Sequence, residues 1–427
     1  MTAETAFAST GDLLARRRRL LGPAYRVFYD EPFHPVRGEG VWLYDADGRA
    51  FLDVYNNVPS VGHCHPRVVA ALAEQASRLN THTRYLHETV LDYAEALLAT
   101  FPEEIGHVML TCTGSEANDL AVRAARAFTG GTGFIVTDFA YHGVTVAVAE
   151  MSPSLGAGVT LGAHVRTVAA PETFRQTPAE AAARFEAEVR AAIADMHRNG
   201  VKPAALLFDT IFSSDGILPA TGVVDGGVAA MREAGGLYIA DEVQAGLART
   251  GSAMWGFQRH GIVPDIVTFG KPMGDGHPVA GMAARPAVLK EFGEKTRYFN
   301  TFGGNPVSAA VGLAVLNVVK DEGLMANAER VGAHMRDGLR ALGQRHPAIG
   351  DVRGAGLYVG IEMVEDDDAR SPSPSRTTRL VNELRQRGIL VGTSGRHANV
   401  VKVRPPLPFS TENADYFLER LEACLSA

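Results

Sequence analysis

Cysteine and tryptophan are the scarcest residues of this 427-residue chain, at three and two copies. Cys64, Cys112 and Cys424 are too few and too scattered for a disulfide framework or a zinc site. His63-Cys64-His65 has no second ligand pair at a recognised spacing, so no metal is expected there, only structural or pocket-lining histidines. No apolar run reaches the length needed to span a bilayer. After the basic run Arg16–Arg19 only Leu20-Leu21 precedes Gly22-Pro23, so the apolar centre of a signal peptide is missing too. The run itself reads as a solvated turn of an N-terminal helix. Positive charge in excess is also lacking. The net charge is −7 and no basic face shows, which offers nucleic acid no general attraction. The expectation is a protein of a soluble, reducing compartment, most simply the cytoplasm, with neither a membrane nor a nucleic acid as partner.

What is present is globular: 46% hydrophobic and 21% charged residues over a length that exceeds one ordinary domain. The middle of the chain alternates short apolar runs with helical stretches. His107–Cys112, Gly133–Asp138, Ala204–Asp209, Gly236–Asp241 and Asp265–Gly270 read as strands, and Ser115–Phe128 as a helix. Nearly continuous apolar character marks strands buried on both faces, as in a parallel sheet covered by helices. The pattern predicts a large α/β domain. Gly40–Asp53 reads as a hairpin turning at Asp47-Gly48. Gly356–Glu362 and Val400–Arg404 are strand-like and flank a helix over about Thr377–Arg387, while Asp366–Arg376, with its Ser-Pro repeats, reads as a surface loop. The two termini are expected to share a smaller α+β domain. The expected division is 1–65 for an N-terminal arm and part of the small domain, 66–310 for the large domain, and 311–427 for the rest of the small one.

Three short segments carry chemistry. Thr113-Gly114-Ser115-Glu116-Ala117-Asn118 lies between a strand and a helix. Gly114 permits close approach of a ligand, and the helix N-terminus beside Ser115 favours an anion; an ordinary N-cap at Ser115 would look the same. Asp241, in Ile239-Ala240-Asp241-Glu242-Val243-Gln244, ends a strand at the edge where open parallel sheets bind ligands. A carboxylate there can pair with a protonated ring nitrogen, or simply cap the next segment. Lys271, in Thr268-Phe269-Gly270-Lys271-Pro272-Met273-Gly274, closes an apolar strand among glycines. Lysines are seldom buried without a partner, and desolvation turns them into nucleophiles.

In this order and spacing the three segments resemble the class III aminotransferases, which are fold-type I pyridoxal-phosphate enzymes, over nearly the whole chain. The resemblance implies a large domain with a mainly parallel seven-stranded sheet and a small α+β domain. It makes Lys271 the Schiff-base lysine and Asp241 the partner of the pyridinium nitrogen. Val243 would pack on one ring face and Tyr141, followed by His142, on the other. Gln244 would bond the ring's phenolic oxygen, and Gly114 and Ser115 would hold the phosphate. Thr301, in Asn300–Pro306, looks like the threonine that reaches the partner subunit's phosphate, which implies a homodimer with shared sites, with pairing into tetramers left open.

The chain departs from typical ω-aminotransferases of this family at the substrate gate. Asp209-Thr-Ile-Phe-Ser-Ser-Asp-Gly216 puts Ser214 where a gating Glu belongs, and Val401–Pro406 puts Lys402 where an Arg belongs. Guanidinium suits bidentate carboxylate recognition, whereas ammonium is a point charge. Lys402 and Arg404 lie two apart and share a strand face. Asn56–Pro66, Asn80–His87, Gly270–Pro278 and Tyr298–Pro306 are similar to the phospho-lyase branch, which acts on O-phosphoethanolamine or 5-phosphohydroxylysine. Asp209 and Asp275 are mild departures from that branch. The resemblance therefore implies elimination of phosphate from a small phosphorylated amine, with Asn57, Arg84, Lys402 and Arg404 as candidate substrate residues. Amino transfer to a keto acid and a non-catalytic binding module are the alternatives.

Overall fold

A computed structural model describes residues 8–365 and 370–426. Strands β1 (Pro35–Glu39), β2 (Trp42–Asp45) and β3 (Ala50–Asp53) come first. Seven more follow: β4 (His107–Thr111), β5 (Gly133–Thr137), β6 (Val165–Val168), β7 (Pro203–Asp209), β8 (Leu237–Asp241), β9 (Ile266–Phe269) and β10 (Ala280–Ala284). The last five are β11 (Ile349–Ala355), β12 (Tyr358–Met363), β13 (Ile389–Leu390), β14 (Gly392–Ser394) and β15 (Val400–Val403). The middle seven form one sheet in the order β4-β10-β9-β8-β7-β5-β6. β10 is antiparallel to both its neighbours, and the other pairings are parallel.

β5, β8, β9 and β10 are buried at every position, which the near-continuous apolar runs require. Two strands of this sheet do not show in the sequence. β6 is a short edge strand, Val-Arg-Thr-Val. β10 is Ala-Gly-Met-Ala-Ala, with none of the β-branched or aromatic residues that announce a strand. Its small residues answer to packing. A Cβ on Gly281 would lie 2.5 Å from the Met109 carbonyl oxygen and 2.9 Å from the Phe269 ring.

The ends of the chain pair with one another. β13 runs parallel to β3, with Ile389 opposite Leu52, and completes the sheet β1-β2-β3-β13. A second small sheet has the order β11-β12-β15-β14. The loop reading of Asp366–Arg376 is corrected in part: a helix covers Pro374–Gln386, with the Ser373 hydroxyl accepting from the Arg376 N–H. Ser-Pro is here an N-cap followed by proline in the first turn, where a missing N–H costs nothing. Residues 366–369 of that segment lie outside the described residues. The arginine run sits in the helix Thr10–Leu21, which buries no residue. No described helix is long and apolar enough to cross a membrane.

Candidate active site

The C-terminal ends of β4, β5, β8 and β9 open into one cavity of about 350 Å³. Its walls are Cys112–Ser115, Tyr141–Gly143, Asp241, Val243, Gln244, Gly270 and Lys271, with Gly276–Ala280 closing one side. These segments lie far apart in the chain. Parallel strands deliver them to one edge, where such sheets bind ligands.

One end of the cavity is built for an anion. The helix Gly114–Thr129 is capped by Thr113, not by Ser115: the Thr113 hydroxyl accepts from Glu116 N–H, and Glu116 accepts in return from the N–H groups of Thr113 at 3.0 Å and Cys112 at 2.9 Å. No described hydrogen bond takes the N–H of Gly114 or Ser115, so two first-turn donors remain for a ligand. The cradle leaves no room for larger residues. A Cβ on Gly114 would lie 2.9 Å from Val243, and one on Gly143, whose φ is +142°, would lie 2.5 Å from the Ser115 hydroxyl oxygen.

Asp241 stands at the end of β8, buried, with its carboxylate fixed from three sides. Oδ2 accepts from Asn118 Nδ2 at 2.9 Å and faces His142 Nδ1 at 2.7 Å; Oδ1 accepts from the Val243 N–H at 3.1 Å. The last bond is the capping role, and it coexists with the other two. Asn118 is held in turn, donating to the His142 carbonyl at 2.8 Å and accepting from the Thr268 hydroxyl at 2.6 Å. The sequence reading quoted Asn118 without assigning it a task. Its signal was a polar residue on the buried face of a helix next to a ligand turn. His142 is buried, and its Nε2 has no hydrogen-bond partner among the described residues.

Lys271 follows β9 on a 3₁₀ turn, Lys271–Gly274. No described carboxylate lies within ion-pair distance of its amine. Burial lowers the amine's pKa, the charge of Arg404 lowers it further, and Asp241 and Asp209 oppose both. The amine sits 6.0 Å from the centre of the Tyr141 ring. Tyr141 and Val243 both line the cavity.

Behind Gln244, and not among the residues that line the cavity, stands a group of charged and polar side chains. Lys402 and Arg404 are both buried. The Lys402 pKa lies well below the ordinary lysine range, through burial first and Arg404 second, with Asp209 opposing and Lys271 adding to the effect. Arg404 donates to Gln244 Oε1 and covers the Tyr55 ring at 4.6 Å. Asn57 is buried and donates to the same oxygen at 3.3 Å. Asp209, expected only as a departure, is the carboxylate whose charge opposes the shifts of both Lys402 and Lys271. Burial, then Asp241, raises its pKa, while bonds from Ser213 and Ile211 oppose the rise. Tyr358, whose hydroxyl reaches Gln244 at 3.4 Å, escaped notice because Gly356–Glu362 reads as plain core strand.

Two expected residues lie elsewhere. Arg84 and Thr301 are exposed and line no part of this chain's own cavity. The Arg84 guanidinium sits 3.8 Å over the ring of Phe299, two positions from Thr301. The surrounding surface exposes Tyr85, Leu86 and Phe302. The two histidines flanking Cys64 are engaged with carboxylates, His63 with Asp53 at 2.8 Å and His65 with Glu322 at 3.1 Å.

Residues 25–425 match the family described as Aminotransferase class-III, and the chain belongs to that family. It is 38% identical over 433 residues to a Drosophila melanogaster alanine–glyoxylate aminotransferase 2-like protein, covering 98% of this chain and 88% of that one. It is 36% identical over 426 residues to ethanolamine-phosphate phospho-lyase homolog 1 of Caenorhabditis elegans, covering 95% and 91%. Among solved structures, an Arthrobacter phospholyase in complex with phosphoethanolamine superposes with a TM-score of 0.95 at 46% identity, covering 97% of this chain and all of that one. A PLP-bound amine transaminase from an uncultivated Pseudomonas species superposes at 0.86 with 27% identity, covering 93% and 95%.

Asn118→Leu removes both donors and the acceptor while filling similar volume. It strands the His142 carbonyl and the Thr268 hydroxyl, at about 1–3 kcal/mol for each buried group left unsatisfied, and leaves Asp241 Oδ2 with His142 alone. A lowered thermal midpoint in calorimetry is the expected outcome.

Proposed function

We propose that this protein is a pyridoxal-phosphate-dependent phospho-lyase that eliminates phosphate from a small O-phosphorylated amine, such as O-phosphoethanolamine, to give an aldehyde, ammonia and phosphate. The observation that carries the substrate reading is the buried cationic wall. Arg404 lowers the proton affinity of Lys271, which lines the cavity, and of Lys402, buried behind it; Asp209 opposes the effect on both lysines, Asp241 on Lys271, and Ser214 supplies no charge. Buried charge of one sign calls for a ligand of the other.

The residues fit the cofactor. The free N–H groups of Gly114 and Ser115 suit its phosphate, Asp241 its ring nitrogen, Val243 and Tyr141 its two faces, and Lys271 its aldehyde carbon. When bound, pyridoxal phosphate supplies a sink for the electron pair released as a C–H bond beside nitrogen breaks. Lys271, its amine's proton affinity lowered by burial, takes that proton from the carbon bearing nitrogen. Asn118 and His142 keep Asp241 aimed at the cavity. The Lys402 ammonium holds the phosphate on the next carbon as its bond to oxygen breaks, stabilising the charge that leaves. Hydrolysis of the remaining enamine gives the aldehyde and ammonia.

The test is incubation of the holoenzyme with phosphoethanolamine in the absence of any keto acid. Free phosphate and acetaldehyde are expected. A strict need for pyruvate or 2-oxoglutarate would make the protein an ω-aminotransferase, and colour without turnover on any amine would make it a binding module. Lys271→Ala is expected to abolish release. Lys402→Ala is expected to raise KM by about ten- to a hundredfold, the worth of a charged hydrogen bond, with cofactor binding kept.

The lowered pKa of Lys402 sets a pH dependence. The ammonium exists only below that depressed pKa, so hold on an anion is present at low pH and lost as pH rises through it. Competitive inhibition by inorganic phosphate should therefore weaken as pH rises, at a lower pH than a free lysine would titrate. In Lys402→Arg, whose guanidinium does not titrate there, it should stay level. A parallel decline in both proteins would remove Lys402 from the phosphate site.

Arg84 and Thr301 support a homodimer with shared sites: both are exposed on a surface that also exposes Tyr85, Leu86 and Phe302, and neither lines its own cavity. The cytoplasm remains the compartment proposed. Mixing Arg84→Ala subunits with Lys271→Ala subunits should restore phosphate release to about half the wild-type level in each mixed dimer, since one site then has both residues. No restoration would place Arg84 in its own subunit's site, and full activity of Arg84→Ala alone would place it outside both.

A further inference from the structure

Three side chains from three parts of the small-domain wall converge on a single oxygen. Gln244 Oε1 accepts from Arg404 Nη1, from Asn57 Nδ2 at 3.3 Å and from the Tyr358 hydroxyl at 3.4 Å. A side-chain amide can be turned over, and its neighbours decide which end is which. Here one neighbour is a guanidinium, which has donors and no acceptor. The oxygen must face Arg404, and the NH₂ group must point away. No described residue accepts from that NH₂, and Gln244 lines the cavity.

We propose that Arg404 is a positioning residue that acts on the cofactor through Gln244. Its guanidinium locks the amide so that the N–H donors face the side of the cavity where the cofactor reading puts the ring's phenolic oxygen. The two cations two residues apart on one strand face then divide the work. Lys402 makes no hydrogen bond to any described residue and is left for the substrate's phosphate. Arg404 is tethered and sets the acidity of the chromophore. The inference rests on the cofactor reading above and is independent of which amine is the substrate.

The experiment uses holoenzyme without substrate and follows its visible absorbance against pH. A donor to the phenolic oxygen weakens that oxygen's hold on the cofactor's shared proton, so losing the donor moves the midpoint of the colour change upward. Arg404→Met and Gln244→Ala are each expected to raise it by about one unit, the worth of one hydrogen bond. In the Gln244→Ala background, Arg404→Met should add nothing. Equal shifts from Arg404→Met in both backgrounds would mean that its charge acts directly, and no shift in either would mean no link; both overturn the proposal. Should Arg404→Met fail to fold, Tyr358→Phe removes only the hydroxyl donor. It should give a smaller rise in the wild type and none in Gln244→Ala; a rise that persists there overturns the proposal as well. A preparation that binds cofactor without colour would defeat the cofactor reading itself. Absence of phosphate release would defeat only the substrate reading and leave this result standing.

Discussion

A lysine amine half-buried at the end of a strand, with no described carboxylate within ion-pair distance, is the constraint around which the site is arranged. Burial disfavours the charged form, and the nearby Arg404 disfavours it further. Had a carboxylate touched Lys271, the ion pair would have held the proton and silenced the nucleophile. Instead, the nearest acids are committed elsewhere. Asp241 is bound by Asn118, His142 and the Val243 N–H, and Asp209 by Ser213 and Ile211. Each carboxylate is near enough to moderate the amine's acidity and too engaged to neutralise it.

Sheet order makes this possible. β8 and β9 are adjacent and parallel, with Asp241 opposite Thr268, so Asp241 and Lys271 leave the same edge of the sheet. Thr268 then donates to Asn118, and Asn118 to Asp241, which ties the helix Gly114–Thr129 to both strands by side chains alone. The anion cradle and the carboxylate are thus parts of one rigid unit: the helix that offers the free N–H groups also carries the residue that orients Asp241. Such pre-organisation on helix and strand fixes distances better than loops do.

Most of the large-domain floor was legible in the sequence because its chemistry sits where periodicity breaks. Apolar runs ending in Asp241 or Lys271, and a strand ending at Thr113-Gly114, announce a sheet edge with polar residues on it. The side walls were less legible. Tyr358 lies inside an apolar strand and looks like core. Asn118 lies inside a helix and looks like ordinary polar surface. β10 carries no strand propensity, since its small residues answer to neighbours on both sides. The helix start at Pro374 was hidden because Ser-Pro serves both loops and N-caps, and only tertiary packing distinguishes the two uses.

The small sheets decide what kind of anion the site can take. Lys402 occupies the middle of β15, paired with Gly360 on one side and Gly392 on the other, so glycines flank its backbone in both neighbouring strands. A Cβ on Gly392 would fall 2.5 Å from the Tyr55 ring, which itself lies under Arg404. Tyr55 therefore fills the space beside Gly392, stacks on the guanidinium and leaves Arg404 bent toward Gln244. A guanidinium held in that way cannot swing outward to grip a carboxylate with both arms, which is how arginine discriminates best. The lysine amine beside it has no preferred plane and makes no hydrogen bond to any described residue. On the proposed phosphate reading, this pairing of a pinned guanidinium with an untethered amine would favour a tetrahedral anion over a carboxylate.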